Sequence, residues 1–174
     1  AAAGTLSIMV GGDAKVFDAV KPLLHVMGNP DRVVRIGDVG AGQICKICNQ
    51  IVIGGTLIAV AEAFSLTRRA GINSARVRDA LLGGFAASRV LELHGERILT
   101  RNYKPGFKAA HFVKDLRNAA EALAQHKVEA PVGAIVQQLS STLIAAGRGD
   151  KDASVLAETV FDLNGLSDET SSES

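Results

Sequence analysis

Tryptophan is missing from this chain of 174 residues, and tyrosine occurs once among six phenylalanines. With 47% of its residues hydrophobic, the chain must build its core from aliphatic side chains and alanine. Excess charge of either sign is missing too. Nineteen Lys and Arg stand against eighteen Asp and Glu, a net charge of +1, and the signs are interspersed. That argues against the broad basic footprint by which proteins bind nucleic acid or an anionic membrane surface, while leaving room for a local patch. No uncharged apolar run reaches the ~20 residues of a membrane span, because Asn49 and Gln50 interrupt the best candidate. The opening AAAGTLSIMVGG has no basic segment ahead of its apolar residues, so it does not read as a secretory signal. The expectation is a soluble, cytoplasmic, one-domain protein, able to bury roughly 70% of its extended-chain surface, with no nucleic-acid or membrane partner.

Cysteine is scarce as well. Cys45 and Cys48, the only two, form a C-x-x-C inside a helical pattern, where a disulfide would strain the backbone. Two thiols cannot complete a structural zinc site. They are expected to be small buried thiols. The four histidines, His25, His94, His111 and His126, show no ligand spacing, so no metal is expected.

What the chain does have is a long apolar stretch from Gly37 to Gly71, GDVGAGQICKICNQIVIGGTLIAVAEAFSLTRRAG. Glycines open it, and Arg68 and Arg69 close it at the negative end of the helix dipole. A helix over residues 43–70 would be about 40 Å long. From position 47 to 61 no residue is charged, and apolar positions wrap nearly the whole circumference. Such a helix is buried on most sides, by its own domain or by a partner chain. Lys46 is the exception, with Asn49 and Gln50 three and four residues on and therefore on its face. A lysine at the buried start of a helix costs desolvation energy unless it is paired. Two readings stand: the side chain snorkels to water, or it acts as a general acid or base. Gly40-Ala41-Gly42 is not a dinucleotide fingerprint, since the third glycine would fall at Cys45. These glycines suit close packing and a sharp turn into the helix.

Ahead of this stretch, residues 5–10 read as a strand and Asp13 as the cap of a helix to Met27. Val16, Phe17, Val20, Leu23, Leu24 and Met27 line its inner side. Residues 28–31 form a turn and 33–36 a short strand. This βαβ-like piece is too small for a sheet domain, so the chain is expected to begin inside one. Beyond Gly71 the pattern is helical: 74–82 capped by Asn73-Ser74, then 88–99, 109–126, 131–146 with Pro131 in its favoured first turn, and 153–163. RNYKPGF, residues 101–107, is a loop fixed by Pro105 and Gly106. Residues 147–152 are a polar turn, and Lys114-Asp115 reads as a solvated helix face. The tail SDETSSES is expected to be disordered. Domain boundaries are expected at 1–37, 38–166 and 167–174.

The motifs GAGQICKICNQ, RVLELHGERILTRNYKPGF and HFVKDL together resemble the C-terminal half of the β-hydroxyacid dehydrogenases, over nearly the whole chain. The pattern G-x-G-x-x-x-K-x-x-N, Gly40 to Asn49, is specific when a Lys-Asp pair follows on a later helix. GGFAAS and RNYKPGF are most similar to the tartronate semialdehyde reductase branch, more than to the 3-hydroxyisobutyrate branch. The resemblance implies a mainly α fold. An all-helical domain like the C-terminal domain of 6-phosphogluconate dehydrogenase would surround one long buried helix, after a βαβ remnant of a Rossmann domain. It further implies an NAD- or NADP-dependent oxidoreductase acting on a small hydroxy or oxo acid, with a homo-oligomer formed through the long helix. Lys46 falls on the catalytic lysine, Asn49 on the substrate amide, and Lys114 with Asp115 on the cofactor-facing pair. The rival from another class is a non-catalytic helical dimerisation module.

Overall fold

The computed structural model describes residues 3–166; the acidic tail, residues 167–174, lies outside the described residues. The chain forms two compact units, Ala1–Asn49 and Gln50–Ser174.

The first unit holds β1 (Leu6–Gly11), α1 (Ala14–Met27), β2 (Gly28–Gly37) and the opening turns of α2 (Ala41–Arg69). β1 and β2 run parallel, with Ile8 opposite Val33 and Val10 opposite Arg35. Parallel neighbours need a crossover, which α1 supplies. Asp13 caps α1 as expected, its carboxylate accepting from Lys15 N at 2.8 Å and Val16 N at 3.1 Å. Two details differ from the sequence reading. β2 begins at Gly28 rather than after a turn, because Gly28 packs where a Cβ would lie 2.8 Å from Leu6 O. Of the six residues expected on the inner side of α1, Phe17 is buried and Val20 and Leu24 are half-buried, while Val16, Leu23 and Met27 are exposed. The two strands of this chain cover only part of that stripe.

The second unit is helical: the rest of α2, then α3 (Ser74–Leu82), α4 (Arg89–Leu99), α5 (Ala109–Gln125), α6 (Pro131–Ala145), a 3₁₀ turn (Ala153–Val155) and α7 (Leu156–Leu163). The Asn73 cap and the Pro131 helix start read from sequence are in place: Asn73 accepts from Arg76 N at 3.0 Å, and Pro131 opens α6. Ser88 caps α4 as well, accepting from Leu91 N at 3.0 Å. α2 packs on α5 and α6 at Gly54, where a Cβ would collide with Val136 and meet Phe112 at 3.3 Å. Leu57, Ala61, Phe64, Phe112, Val136, Leu143 and Phe161 make the centre of the core. By length and composition α2 could cross a membrane, but these contacts make it a core helix here. Its burial is one-sided: Val52, Ala59 and Leu66 are exposed along one stripe. The most enclosed segment is instead residues 153–161, all buried.

Five helices end alike, with the last carbonyls taken up by paired backbone bonds. α2, α6 and α7 do so at Gly71, Gly147 and Gly165, all at positive φ; α4 and α5 do so at Arg101 (φ 49°) and Lys127 (φ 54°). Glycine is the usual residue in this left-handed position.

Asp152 ties the unit together, although by sequence it belonged to a polar turn. Its side chain is 2% exposed. Oδ2 accepts from Gly106 N at 2.9 Å and Phe107 N at 3.2 Å, and lies 3.2 Å from Arg97 Nη1. Oδ1 accepts from Ser154 Oγ at 2.7 Å and Ser154 N at 3.1 Å, with His94 Nδ1 at 3.5 Å. One carboxylate thus fixes the 101–107 loop, α4 and the 3₁₀ turn before α7. Burial pushes its carboxyl up, but the nearby His94 imidazole and the bonds from Ser154 and Gly106 outweigh that and hold it well below the usual carboxylate range. Its contribution to stability is therefore complete above the unfolded-state value of ~4 and is lost as pH falls below it. Asp152→Ala should cost about 3–5 kcal/mol at pH 7, since it leaves buried donors and Arg97 without their acceptor. Urea denaturation between pH 7 and pH 2 checks both points: Asp152→Asn should be less stable at pH 7 and lose less on acidification.

Candidate active site

The first turns of α2 are set by glycine. Gly40 turns the chain at φ 95°, and Gly42 lies so close to β1 that a Cβ would sit 2.6 Å from Met9 O. The glycines provide close packing and a sharp turn into the helix, as read from sequence. One turn later comes Lys46, which is exposed, and then Asn49, which is half-buried. Of residues 41–49 only Gly42 is buried. The desolvation expected at Lys46 is therefore absent: the enclosed part of α2 begins at Gln50, beyond the lysine. Three residues apart, Lys46 and Asn49 share a helix face, an ammonium donor beside an amide. Cys48 is exposed and Cys45 half-buried, both as free thiols. The expectation of buried thiols fails for Cys48, which lies one turn before Val52 on the exposed stripe.

Gln50 points inward, 2% exposed. Its Nε2 donates to Asp115 Oδ2 at 2.9 Å, linking α2 to α5. Asp115 Oδ1 is 3.5 Å from Lys114 Nζ, and the two side chains are 20% and 65% exposed. The pair read as a solvated face is therefore split in role. Lys114 presents its ammonium to solvent, while Asp115 is held by Gln50 and orients Lys114 in turn. Gln50 was visible in the sequence only as a polar neighbour of Lys46; its true partner lies 65 residues away. Among the described residues no three His, Cys, Asp or Glu side chains gather as metal ligands. Chemically, Lys46 and Lys114 can each meet an anionic or developing oxyanion group, and Asn49 can hydrogen-bond a hydroxyl or carboxylate.

Removing the Gln50 amide should cost about 1–3 kcal/mol, because the partly buried Asp115 carboxylate loses a charge-assisted bond. Gln50→Glu should cost more than Gln50→Ala at pH 7, placing one carboxylate against another. Chemical denaturation of the two variants at pH 7 tests the link.

Residues 40–160 match the family model described as NAD-binding of NADP-dependent 3-hydroxyisobutyrate dehydrogenase, and residues 1–44 match the NAD binding domain of 6-phosphogluconate dehydrogenase. The chain is 44% identical to 2-hydroxy-3-oxopropionate reductase of Escherichia coli K12 over 157 residues, 90% of this chain and 53% of that protein. It is 31% identical to the NAD-dependent L-serine dehydrogenase of Pseudomonas aeruginosa, over 93% of this chain and 56% of that one. Among solved structures, Mycobacterium tuberculosis 3-hydroxyisobutyrate dehydrogenase with L-serine superposes with a TM-score of 0.83 at 31% identity, covering 92% of this chain and 56% of that one. The chain spans about half the length of the curated relatives it matches. The chain therefore belongs to the β-hydroxyacid dehydrogenase family of NAD(P)-dependent oxidoreductases.

Proposed function

We propose that this chain is the helical substrate and oligomerisation part of a reductase that converts tartronate semialdehyde (2-hydroxy-3-oxopropionate) to glycerate with NADH or NADPH. The observation that carries the reading is the 44% identity to the Escherichia coli 2-hydroxy-3-oxopropionate reductase. Identities to the solved 3-hydroxyisobutyrate dehydrogenases are lower, at 31% and 29%, which sets that activity second. The dinucleotide, when bound, supplies the hydride. Lys114, exposed on α5 and steadied by Asp115, fits a cofactor rich in acceptor oxygens. As the aldehyde carbon gains the hydride, the carbonyl electron pair moves to oxygen. The Lys46 ammonium stabilises that oxygen and gives it a proton, completing the alcohol. Asn49 orients the substrate or Lys46. The two free thiols suit a reducing compartment, so a cytoplasmic place of action belongs to the same proposal.

The exposed stripe of α2 supports an oligomer. Val52 and Leu66 are 66% and 71% exposed, on a helix whose other side is core. A two-fold partner laid along that stripe would cover them, as cyclic dimers commonly do.

Three measurements test the proposal. In the complete enzyme, Lys46→Ala should lower kcat by roughly 10²–10³-fold; activity within twofold of wild type would remove the general-acid role. Lys114→Ala should raise the dissociation constant for the nicotinamide cofactor while the fold is kept, because alanine suits a helix interior. Light scattering at micromolar concentration should give at least twice the chain mass, and Leu66→Glu should lower it. A dimer whose complete enzyme turns over no hydroxy or oxo acid would favour the dimerisation module.

A further inference from the structure

Away from Lys114 and Asp115, the helical unit carries a polar cavity of about 210 Å³, lined by Arg101, Tyr103, Arg148, Lys151 and Glu158. Its walls come from the end of α4, the loop after it, the turn between α6 and the 3₁₀ segment, and α7. Three of the five side chains are cationic and one is a carboxylate. That carboxylate is already engaged: Glu158 Oε1 accepts from Tyr103 Oη at 2.6 Å and lies 3.4 Å from Arg101 Nε. Arg148 Nη1 donates to Asp162 Oδ2 at 2.7 Å, leaving its remaining N–H groups to other acceptors. Lys151 is exposed, and its backbone is pinned by bonds from Lys151 N to Arg148 O at 3.1 Å and from Ala109 N to Lys151 O at 2.8 Å. Arg101 and Arg148 are thus positioned by carboxylates, and Lys151 by its backbone. Arg101 strengthens the case. It occupies a left-handed helix end that three other helices of this chain give to glycine, and its guanidinium is directed at Glu158.

We infer that this cavity binds a small dianionic oxyanion, a phosphate monoester or a dicarboxylate, at one site per chain. Convergent Arg and Lys donors around a polar hollow match such a group in charge and hydrogen bonding. None of the lining residues belongs to the reductase machinery proposed above.

The test is isothermal titration of the full chain at pH 8 and constant ionic strength. Inorganic phosphate and malonate serve as separate probes, with acetate as the single-charge control. Saturable binding in the millimolar range by either dianion is expected, with acetate at least about tenfold weaker. Phosphate alone would mark a phosphoryl ligand, and malonate alone a dicarboxylate. Lys151→Gln should weaken the binding about tenfold at unchanged melting temperature, and Arg148→Gln should weaken it further. The absence of saturable binding by both dianions would overturn the inference. So would binding that Lys151→Gln leaves unchanged.

Discussion

The helical unit closes on one buried carboxylate. Asp152 comes after α6 and before α7, and it is the acceptor for groups from α4, from the 101–107 loop and from the start of its own segment. A charge taken out of water must be matched by donors or be neutralised. Here the match comes from two backbone N–H groups across the chain, a serine hydroxyl and amide two residues on, and a guanidinium. It adds a polar anchor to the 153–161 segment, the most enclosed in the unit, which also packs in the core and is bonded to the 101–107 loop through Ala153 N to Phe107 O and Tyr103 Oη to Glu158. α2 and α5, which carry the residues of the proposed chemistry, pack on the core that this segment completes.

α2 serves three purposes along its length. Its glycines pack on β1, its middle fills the core at Gly54, Leu57 and Phe64, and its opposite side is left exposed at Val52 and Leu66. One helix can do this because the interactions are segregated by position. Close backbone approach is needed only at Gly42 and Gly54, and core contact only on the stripe through Ala61. Lys46 belongs to the first section and lies on its exposed side.

Much of this was legible in the sequence, because the signals were local. Asp13 and Asn73 mark helix starts through bonds to residues two or three away, Pro131 marks one through its fixed backbone angle, and Gly71, Gly147 and Gly165 mark ends through their own backbone. The family motif likewise lies within ten residues of α2. What was not legible depended on partners far off in the chain. Asp152 looked like part of a polar turn because Gly106 and Arg97 are some fifty residues away, and Gln50 looked like a neighbour of Lys46 because Asp115 is on another helix. The inner face of α1 was overstated, since periodicity reports that a stripe is apolar and not how wide a sheet will meet it. Arg101 and Lys127 at helix ends broke the glycine rule, so the sequence offered no sign of those positive φ angles.

The central claim is that Lys46 meets the reacting oxygen. Side-chain amine NMR of the complete enzyme with labelled lysine, titrated with glycerate in the presence of oxidised cofactor, examines it directly. The account predicts that the Lys46 Nζ resonance shifts with glycerate and that Lys114 shifts already with cofactor alone. A Lys46 resonance that stays in place at saturating glycerate, while other resonances of the site move, would contradict it.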